Sequence, residues 1–529
     1  MFSQLWFLME NILSMLLSLP QVLVAFVRDW LHFRRLANRF PGPPTLPIVG
    51  NLFDCGLFPD PWTLIKWGLD DVMYRYPAGQ IIMGPVRMFL LSEVNDIQTL
   101  LMNSKNQSRP KLIADALAYC LGKGLVTING NEWSLHNKIM MPCFHQNLLK
   151  TYVPEFNRKS DVFIELLAEY ANGDAFDVKR MTETLGVDII FETLFGLPSN
   201  QQRNPDQELF EFILTGQKEI SHCIRSPWLY LETIYKISPS GRKAMENLKL
   251  GRKFIAKVIE QRKVLHRSKA ECLLMKRSFK TKKNTLDAPN HDSKSEVQVE
   301  SNKKEYRILV DALLQESGNS LSYESVLDEL LTVFLAGFDT TAITLQFALY
   351  FLAKNPFVQE KAVRELRTVF GSAGSTEVTP NSLRLMQYVE MIVKETLRLH
   401  PPIFFYQKEV GVDTPLVSCN LVVPAGAIVS ISPRTLHMDP KLYPDPHVFD
   451  PERFSPENSA KRHPYAFMPF GAGMRTCMGR KFAMLVLKTV ISKVIWNYRI
   501  LPDESYEPQL LWGISMVTSN GMRIKLLKR

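Results

Sequence analysis

Cysteine is scarce in this chain of 529 residues, and its few copies lie far apart. The cysteines are odd in number, and none forms a Cys-x-x-Cys pair; they are Cys55, Cys120, Cys143, Cys223, Cys272, Cys419 and Cys477. A disulfide framework or a zinc ribbon needs paired and closely spaced cysteines. The pattern argues against both and favours a folded part that faces a reducing compartment.

Repeats and dinucleotide-binding motifs are also missing. No period of about 20 to 50 residues runs through the chain, so a repeat architecture is not predicted. Gly471 and Gly473 begin like a Gly-x-Gly-x-x-Gly motif, but Thr476 stands at the third glycine and no strand–helix unit surrounds it. The sequence therefore contains no recognisable flavin or nicotinamide site.

Acidic residues are fewer than basic residues, and most of the excess positive charge lies in one segment. The chain has a net charge of +10, and +6 of it lies between Gln261 and Glu305. This segment is polar and has few aromatic residues, which is typical of a solvated loop and not of a nucleic-acid groove. We expect no nucleic-acid partner, and we predict a flexible insertion between two helices at residues 265–305.

Lysine and arginine are absent before Arg28. The apolar stretch Leu5–Val27 has 23 residues, enough to cross a bilayer core of about 30 Å. It lacks a basic n-region and a cleavage site, which favours a retained anchor over a removed signal peptide. Residues 1–39 are predicted to be this anchor and its basic flank, with the rest of the chain on the cytosolic side. Glu10 and Pro20 leave open a helix that dips into one leaflet.

Four prolines follow the basic flank within Pro41–Pro47. Such a run cannot continue a helix and favours an extended, stiff connector. We therefore predict a hinge at residues 40–51 and one large domain at residues 52–529.

The segment Pro469–Arg480 reads Pro-Phe-Gly-Ala-Gly-Met-Arg-Thr-Cys-Met-Gly-Arg. This spacing predicts a tight turn that presents the Cys477 thiolate to a metal, and thiolate ligation of a haem iron favours cleavage of the O–O bond. Gly473 permits a positive φ in the turn. Arg475 and backbone N–H groups would stabilise the sulfur or pair with a haem propionate, and Phe470 would shield the sulfur from water. A buried free thiol is the alternative for Cys477.

A long helix is predicted from an N-cap at Ser322 to Lys354. Asp339 is its only charge between Leu330 and Ala353, and this charge with several threonines favours a buried core helix over a second membrane span. Reduction of one atom of O2 to water needs two protons, which Thr340 and the adjacent carboxylate of Asp339 can relay through water. The alternative is a local hydrogen-bond cluster.

Glu395 and Arg398 are three residues apart on a predicted helix and can form an ion pair. Arg453 lies in the downstream Pro-Glu-Arg-Phe segment and could complete a buried cluster. We interpret all three residues as structural.

Together these motifs resemble the cytochrome P450 monooxygenases, whose haem loop follows the pattern Phe-x-x-Gly-x-Arg-x-Cys-x-Gly. The segment His463–Pro469 resembles the fatty-acid-hydroxylase branch, family four. The resemblance implies a mainly α-helical fold with small β-sheets and the haem between the central helix and the Cys477 loop.

The resemblance also implies roles for individual residues, and at some positions this sequence differs from the family pattern. Trp133 matches a tryptophan that binds a haem propionate, but Asn137 replaces the arginine four residues later, so that Lys138 or His136 would have to substitute. Lys408 stands where the family often has a propionate-binding arginine. Ala336 replaces a glutamate that forms an ester with haem in many family-four members, which predicts haem b bound non-covalently.

The implied reaction is oxygen insertion from O2 into an apolar substrate, such as a fatty acid, a hormone-like lipid or a foreign compound. NADPH electrons would come from a flavoprotein, the cytochrome P450 reductase, with cytochrome b5 as a second partner. The implied location is the endoplasmic reticulum membrane. Two alternatives are a haem-thiolate isomerase or dehydratase that uses no O2, and a catalytically silent ligand-binding protein. Phe338 and the Phe404–Tyr406 segment are candidates for the substrate pocket, with core packing as the alternative.

Overall fold

The computed structural model describes residues 23–47, 49–51, 54, 67, 71–83, 86–284, 308–371 and 377–529. Most of the predicted anchor, residues 5–22, lies outside these ranges. The protein is mainly α-helical with small β-sheets, as the sequence predicted.

Helices make up most of the described chain. They span residues 23–37, Met73–Arg75, Val94–Met102, Lys111–Leu121, Gly130–Met140, Gln146–Thr151, Val153–Leu167, Lys179–Ile190, Gln207–Arg225, Glu232–Ile237, Pro239–Asn284, Leu309–Glu316, Tyr323–Lys354, Pro356–Phe370, Pro380–Leu385, Gln387–Leu399, Pro433–His437, Pro456–Ala460 and Arg480–Asn497.

The strands are short. They are β1 (Ala78–Met83), β2 (Val86–Leu91), β3 (Phe176–Asp177), β4 (Tyr406–Glu409), β5 (Thr414–Pro415), β6 (Val422–Val423), β7 (Ile428–Ile431), β8 (Tyr498–Pro502), β9 (Leu510–Trp512), β10 (Met516–Thr518) and β11 (Arg523–Lys528).

The chain forms two compact units. The first unit comprises Met1–Lys111, Phe405–Pro444 and His463–Thr476, and the second comprises Leu112–Phe404, Asp445–Arg462 and Cys477–Arg529.

The first unit is built on the sheet β1-β2-β7-β4, in which β2 and β7 are parallel and the other pairs antiparallel. Phe89 on β2 is fully buried, and the ring of Phe40 meets it edge-on with 4.8 Å between centroids. The proline-rich segment is hydrogen-bonded to the sheet: Gln80 N donates to Pro41 O at 2.9 Å, and Gly50 bridges to Met83. Leu46 and Gly50 also bond to each other, so the end of the segment turns back on itself.

The second unit surrounds the central helix Tyr323–Lys354. Its N-cap is Ser322, whose side chain accepts a hydrogen bond from Ser325 N, as the sequence predicted. This is the one helix in the described ranges with the length and apolarity for a membrane span, but 67% of its most apolar window is buried. Helices Lys179–Ile190 and Arg480–Asn497 pack against it, so it is a core helix of this unit.

The predicted loop at residues 265–305 is helical in its first half, because helix Pro239–Asn284 continues through it. No proline or glycine interrupts the chain between Gly251 and Pro289, and the segment is rich in lysine, arginine and leucine, which favour helix. The polarity of this segment therefore did not predict where helix Pro239–Asn284 ends. Residues 285–307 lie outside the described ranges.

Candidate active site

The turn before Cys477 has the backbone that its glycines allow. Residues Gly473–Arg475 form one 3-10 turn, and Gly473 has a φ of 76°, in the left-handed region. A Cβ atom at Gly473 would also lie 2.9 Å from Leu101 O. Glycine is therefore required here for both conformation and space. Phe470, which precedes this turn, is half-buried.

Cys477 is an exposed free thiol immediately before helix Arg480–Asn497. Although the residue is exposed, neighbouring protein atoms partly desolvate the sulfur and raise the pKa of Cys477, while the N–H groups of Gly479 and Arg480 and the charge of Arg480 act in the opposite direction. Among the cysteines of the second unit whose side chains the structure describes, Cys477 is the accessible one, since Cys120, Cys143 and Cys223 are buried. Its position suits a metal ligand better than a core thiol.

Three cationic side chains lie close together in the first unit: Lys408 on β4, Arg109 and Arg475. Burial and the positive charges of Arg109 and Arg475 lower the pKa of Lys408 to about 7. Burial and Arg109 lower the pKa of Arg475 to about 9. We call these three residues the cationic cluster. A cluster of like charges at a buried site is the electrostatic environment that a bound anion stabilises.

Arg109 was missed by the sequence analysis. It is followed by Pro110 and belongs to no motif that distinguishes it from a surface arginine. Only the fold brings it to Lys408 and Arg475, which come 299 and 366 residues later along the chain.

Trp133 is half-buried on helix Gly130–Met140, and Asn137 follows it by one turn. His136 does not replace the missing arginine, because its Nδ1 lies 2.5 Å from Glu329 Oε1 in a fully buried pair. Lys138 is exposed. The substitution of Asn137 for arginine is thus not offset by His136.

Ala336, Gly337 and Thr340 mark an open stretch of the central helix. Ala336 is exposed, and Thr340 Oγ1 donates to Ala336 O at 2.8 Å. A Cβ atom at Gly337 would lie 2.7 Å from Ile190 Cδ1 on the neighbouring helix. The small residues leave room for a ligand beside Ala336 and close helix packing behind it.

Asp339 is a half-buried acid of the central helix, and loss of solvent around its carboxyl group raises its pKa. Its Oδ1 accepts from Gln217 Nε2 at 2.8 Å, and its Oδ2 accepts from Ser515 Oγ at 2.6 Å. The sequence predicted the carboxylate but neither donor.

The three residues interpreted as structural come together in the second unit. Arg398 Nε and Nη2 donate to the two oxygens of Glu395 at 2.7 and 2.8 Å, and both side chains are fully buried. Arg453 Nε lies 3.5 Å from Glu395 Oε1. Asp450 N donates to the same oxygen at 2.9 Å. We call Glu395, Arg398 and Arg453 the balanced cluster.

The aromatic residues proposed for a pocket differ in burial. Phe338 is 1% exposed and packs on Phe334, with 5.2 Å between ring centroids, so it belongs to the core and not to a pocket lining. Phe404 is also fully buried, whereas Phe405 and Tyr406 are half-buried.

Comparison with known proteins agrees with these motifs. Residues 40–526 match the sequence profile of the family described as Cytochrome P450. The chain belongs to the cytochrome P450 family. It is 30% identical over 523 residues to human Cytochrome P450 4V2, with 98% of this chain and 94% of the relative covered. It is 30% identical to Drosophila melanogaster Probable cytochrome P450 4aa1, covering 96% and 92%, and 29% identical to Blattella germanica Cytochrome P450 4c21, covering 88% of each.

Membership identifies this cytochrome P450 as a haem-dependent monooxygenase, an oxidoreductase. The described residues fit the cofactor. In the second unit Cys477 offers an accessible sulfur beside backbone N–H donors. In the first unit, considered by itself, the cationic cluster offers positive charge of the kind that propionates require. Ala336 carries no carboxylate and so cannot form an ester with haem.

Proposed function

We propose that this cytochrome P450 is a membrane-associated, NADPH-dependent monooxygenase that acts on an apolar small molecule. One atom of O2 enters a C–H bond of the substrate to give an alcohol. The other atom leaves as water, with two electrons from NADPH and two protons. A flavoprotein reductase delivers the electrons, and cytochrome b5 is a second candidate donor.

The observation that carries this proposal is the pairing of an accessible Cys477 with the Asp339–Thr340 pair on the central helix. Haem bound through a cysteine thiolate supplies the electron density that favours O–O cleavage. Thr340 has a hydroxyl that can exchange its bond to Ala336 O for a bond to water. Asp339 is an acid whose pKa is raised by burial, which favours the protonated form that a proton donor needs.

We assign haem binding to the cationic cluster, Trp133 and the Cys477 turn. Lys408, Arg109 and Arg475 would pair with the propionates, which are carboxylates. Phe470 would shield the sulfur, and Gly473 would shape the turn. Because position 336 is alanine, acidified organic solvent should extract the haem completely from the denatured protein.

The membrane assignment rests on the N-terminal apolar stretch and on helix 23–37, which begins within it. Leu23, Val24 and Phe26 are each more than 60% exposed. Trp30 and Leu31, one to two turns later, are also exposed. An exposed apolar stripe continuous with Leu5–Val27 suits the bilayer interface. We propose the endoplasmic reticulum membrane with the folded part in the cytosol.

The substrate class is proposed by analogy with family four: a fatty acid, a hormone-like lipid or a foreign compound. Substrate choice depends on pocket residues that vary within a fold.

The first test is the absorbance spectrum of the reduced, carbon monoxide-bound protein. We expect a Soret band at about 450 nm that disappears in Cys477→Ser. Cys419→Ser is the matched control, because Cys419 is a half-buried free thiol elsewhere in the protein. Absence of the band from folded wild-type protein would contradict thiolate ligation.

The second test separates a monooxygenase from an O2-independent isomerase. With the reductase in lipid vesicles and a panel of fatty acids, product formation should require NADPH and should incorporate one atom from labelled O2. Product formation without NADPH would favour the isomerase. Haem binding with neither NADPH oxidation nor product would favour the silent binding protein.

A further inference from the structure

Asp339 is the point at which three elements of the second unit meet. Gln217 reaches it from helix Gln207–Arg225, and Ser515 reaches it from the turn between β9 and β10. Each donor serves a different carboxylate oxygen. The two bonds therefore fix both the position and the plane of the carboxylate.

The donors are held by packing of their own. Ser515 is 3% exposed, and its carbonyl accepts from Gly513 N at 3.1 Å. A Cβ atom at Gly513 would lie 2.4 Å from Ser221 Oγ, so the turn packs directly on helix Gln207–Arg225. The two donors thus belong to one packed surface that faces the central helix.

The charged groups around Asp339 come from helix Lys179–Ile190. Lys179 lowers the pKa of Asp339, and the charge of Asp339 raises the pKa of Glu183, which is itself paired with Arg180. Lys179 Nζ also donates to Thr518 O at 2.8 Å. Among the side chains that the structure describes, Gln217 and Ser515 donate hydrogen bonds to the Asp339 carboxylate, and both are neutral.

A hydrogen bond donated to a carboxylate favours its charged form. Burial favours the neutral form and acts most strongly on Asp339, while Ser515, Lys179 and Gln217 oppose it. The two neutral donors therefore oppose protonation of Asp339 without adding a charge of their own.

We propose that Gln217 and Ser515 are positioning residues that hold the Asp339 carboxylate in one orientation and set the pH at which it gains and releases a proton. This inference rests on the proposed role of Asp339 as the acid of the proton relay. Gln217 and Ser515 do not touch the reacting atoms. They act by orienting the Asp339 carboxylate and by opposing the rise in its pKa that burial causes.

The direct test is infrared titration of Asp339 in the full-length, haem-loaded protein. The C=O stretch of the protonated carboxyl group is assigned as the band that Asp339→Asn removes. We expect Ser515→Ala and Gln217→Met each to move the midpoint of this band upward by about one pH unit, the effect of one lost bond to a charged group. The double variant should shift it further.

Ser221→Ala is the matched control. Its hydroxyl lies on the same helix and donates to Gln217 O at 2.6 Å without a contact to Asp339, so its midpoint should equal that of the wild type.

The second readout is the fraction of NADPH electrons recovered as hydrogen peroxide, measured with the reductase in lipid vesicles without added substrate. A misdirected acid delivers protons poorly, so the fraction should rise several-fold in Ser515→Ala and Gln217→Met. The reduced, carbon monoxide-bound spectrum should stay unchanged in both variants, which excludes damage to the haem site.

The outcomes separate this inference from the proposed function. If Asp339→Asn removes the band while both donor variants keep the wild-type midpoint and peroxide fraction, the positioning role is wrong and the relay stands. If Asp339→Asn changes neither the peroxide fraction nor its pH dependence, the relay itself is wrong. An equal shift in Ser221→Ala would mean that general loosening of the helix, and not the two donors, controls Asp339.

Discussion

The balanced cluster and the cationic cluster both bury charge, but they do so in opposite ways. In the balanced cluster the carboxylate of Glu395 accepts two bonds from Arg398 and lies 3.5 Å from Arg453. In the cationic cluster Lys408 is 4% exposed and its charged neighbours Arg109 and Arg475 have its own sign. Opposite charges in contact stabilise an assembled scaffold, whereas like charges are stabilised by an added anion. The comparison therefore distinguishes residues that we interpret as structural from residues that we propose to bind the cofactor.

The largest effect is expected from breaking the balanced cluster. Glu395→Gln leaves the fully buried guanidinium of Arg398 without its counter-charge, which should lower the free energy of unfolding by about 3–5 kcal/mol. Urea unfolding at fixed haem saturation measures this loss. Lys236→Ala is the control, because it removes an exposed ion pair with Glu232 that should contribute about 0.5 kcal/mol or less. Equal losses in the two variants would contradict the scaffold role.

Substitutions in the cationic cluster should change the rate of haem loss more than they change the free energy of unfolding. Lys408→Met removes one of the charges that we propose to pair with a propionate, so haem transfer to apomyoglobin should become about tenfold faster, the effect of about 1.4 kcal/mol. Lys408→Arg restores a two-pronged donor and should slow the transfer below the wild-type rate. An unchanged transfer rate in Lys408→Met would remove this residue from the haem site.

Within the balanced cluster, Arg453 should matter less than Arg398. Its Nε lies 3.5 Å from Glu395 and its side chain is 12% exposed, so solvent compensates part of a loss. Arg453→Gln should lower the free energy of unfolding by about 1 kcal/mol. Arg398→Gln should cost more than Arg453→Gln, and equal losses in these two variants would show that the two arginines contribute equally.

The smallest expected effect is a pH dependence of haem retention. Burial and its neighbours lower the pKa of Lys408 to about 7, from an ordinary value of about 10.4. Propionates favour charged Lys408, so above pH 7 binding must be accompanied by proton uptake, and haem affinity should fall as pH rises. Below pH 7 Lys408 is already charged and should contribute no slope. Haem-transfer rates should rise a few-fold between about pH 6 and pH 9 in the wild type and much less in Lys408→Arg. If the rates of the two proteins changed in parallel with pH, Lys408 would be excluded as the titrating group.

Local sequence determined much of this protein. The Cys477 turn with its positive φ at Gly473 and the central helix with its cap at Ser322 follow from short-range chemistry: glycine conformation, N-cap hydrogen bonds and helix period. The family could be identified from those segments because their residues must stand at fixed offsets. The end of helix Pro239–Asn284 could not be predicted from the local sequence, because a polar segment without proline or glycine can remain helical.

Only the tertiary structure decided which distant residues share an environment. It placed Arg109 beside Lys408 and gave Asp339 its two donors, Gln217 and Ser515, which lie more than 100 residues from it in either direction. It also assigned Phe338 to the core, although its neighbour Asp339 belongs to the candidate site. The physical reason is that hydrogen bonds, burial and charge act over a few ångströms of space, and a sequence motif records such neighbours only when they are also close along the chain.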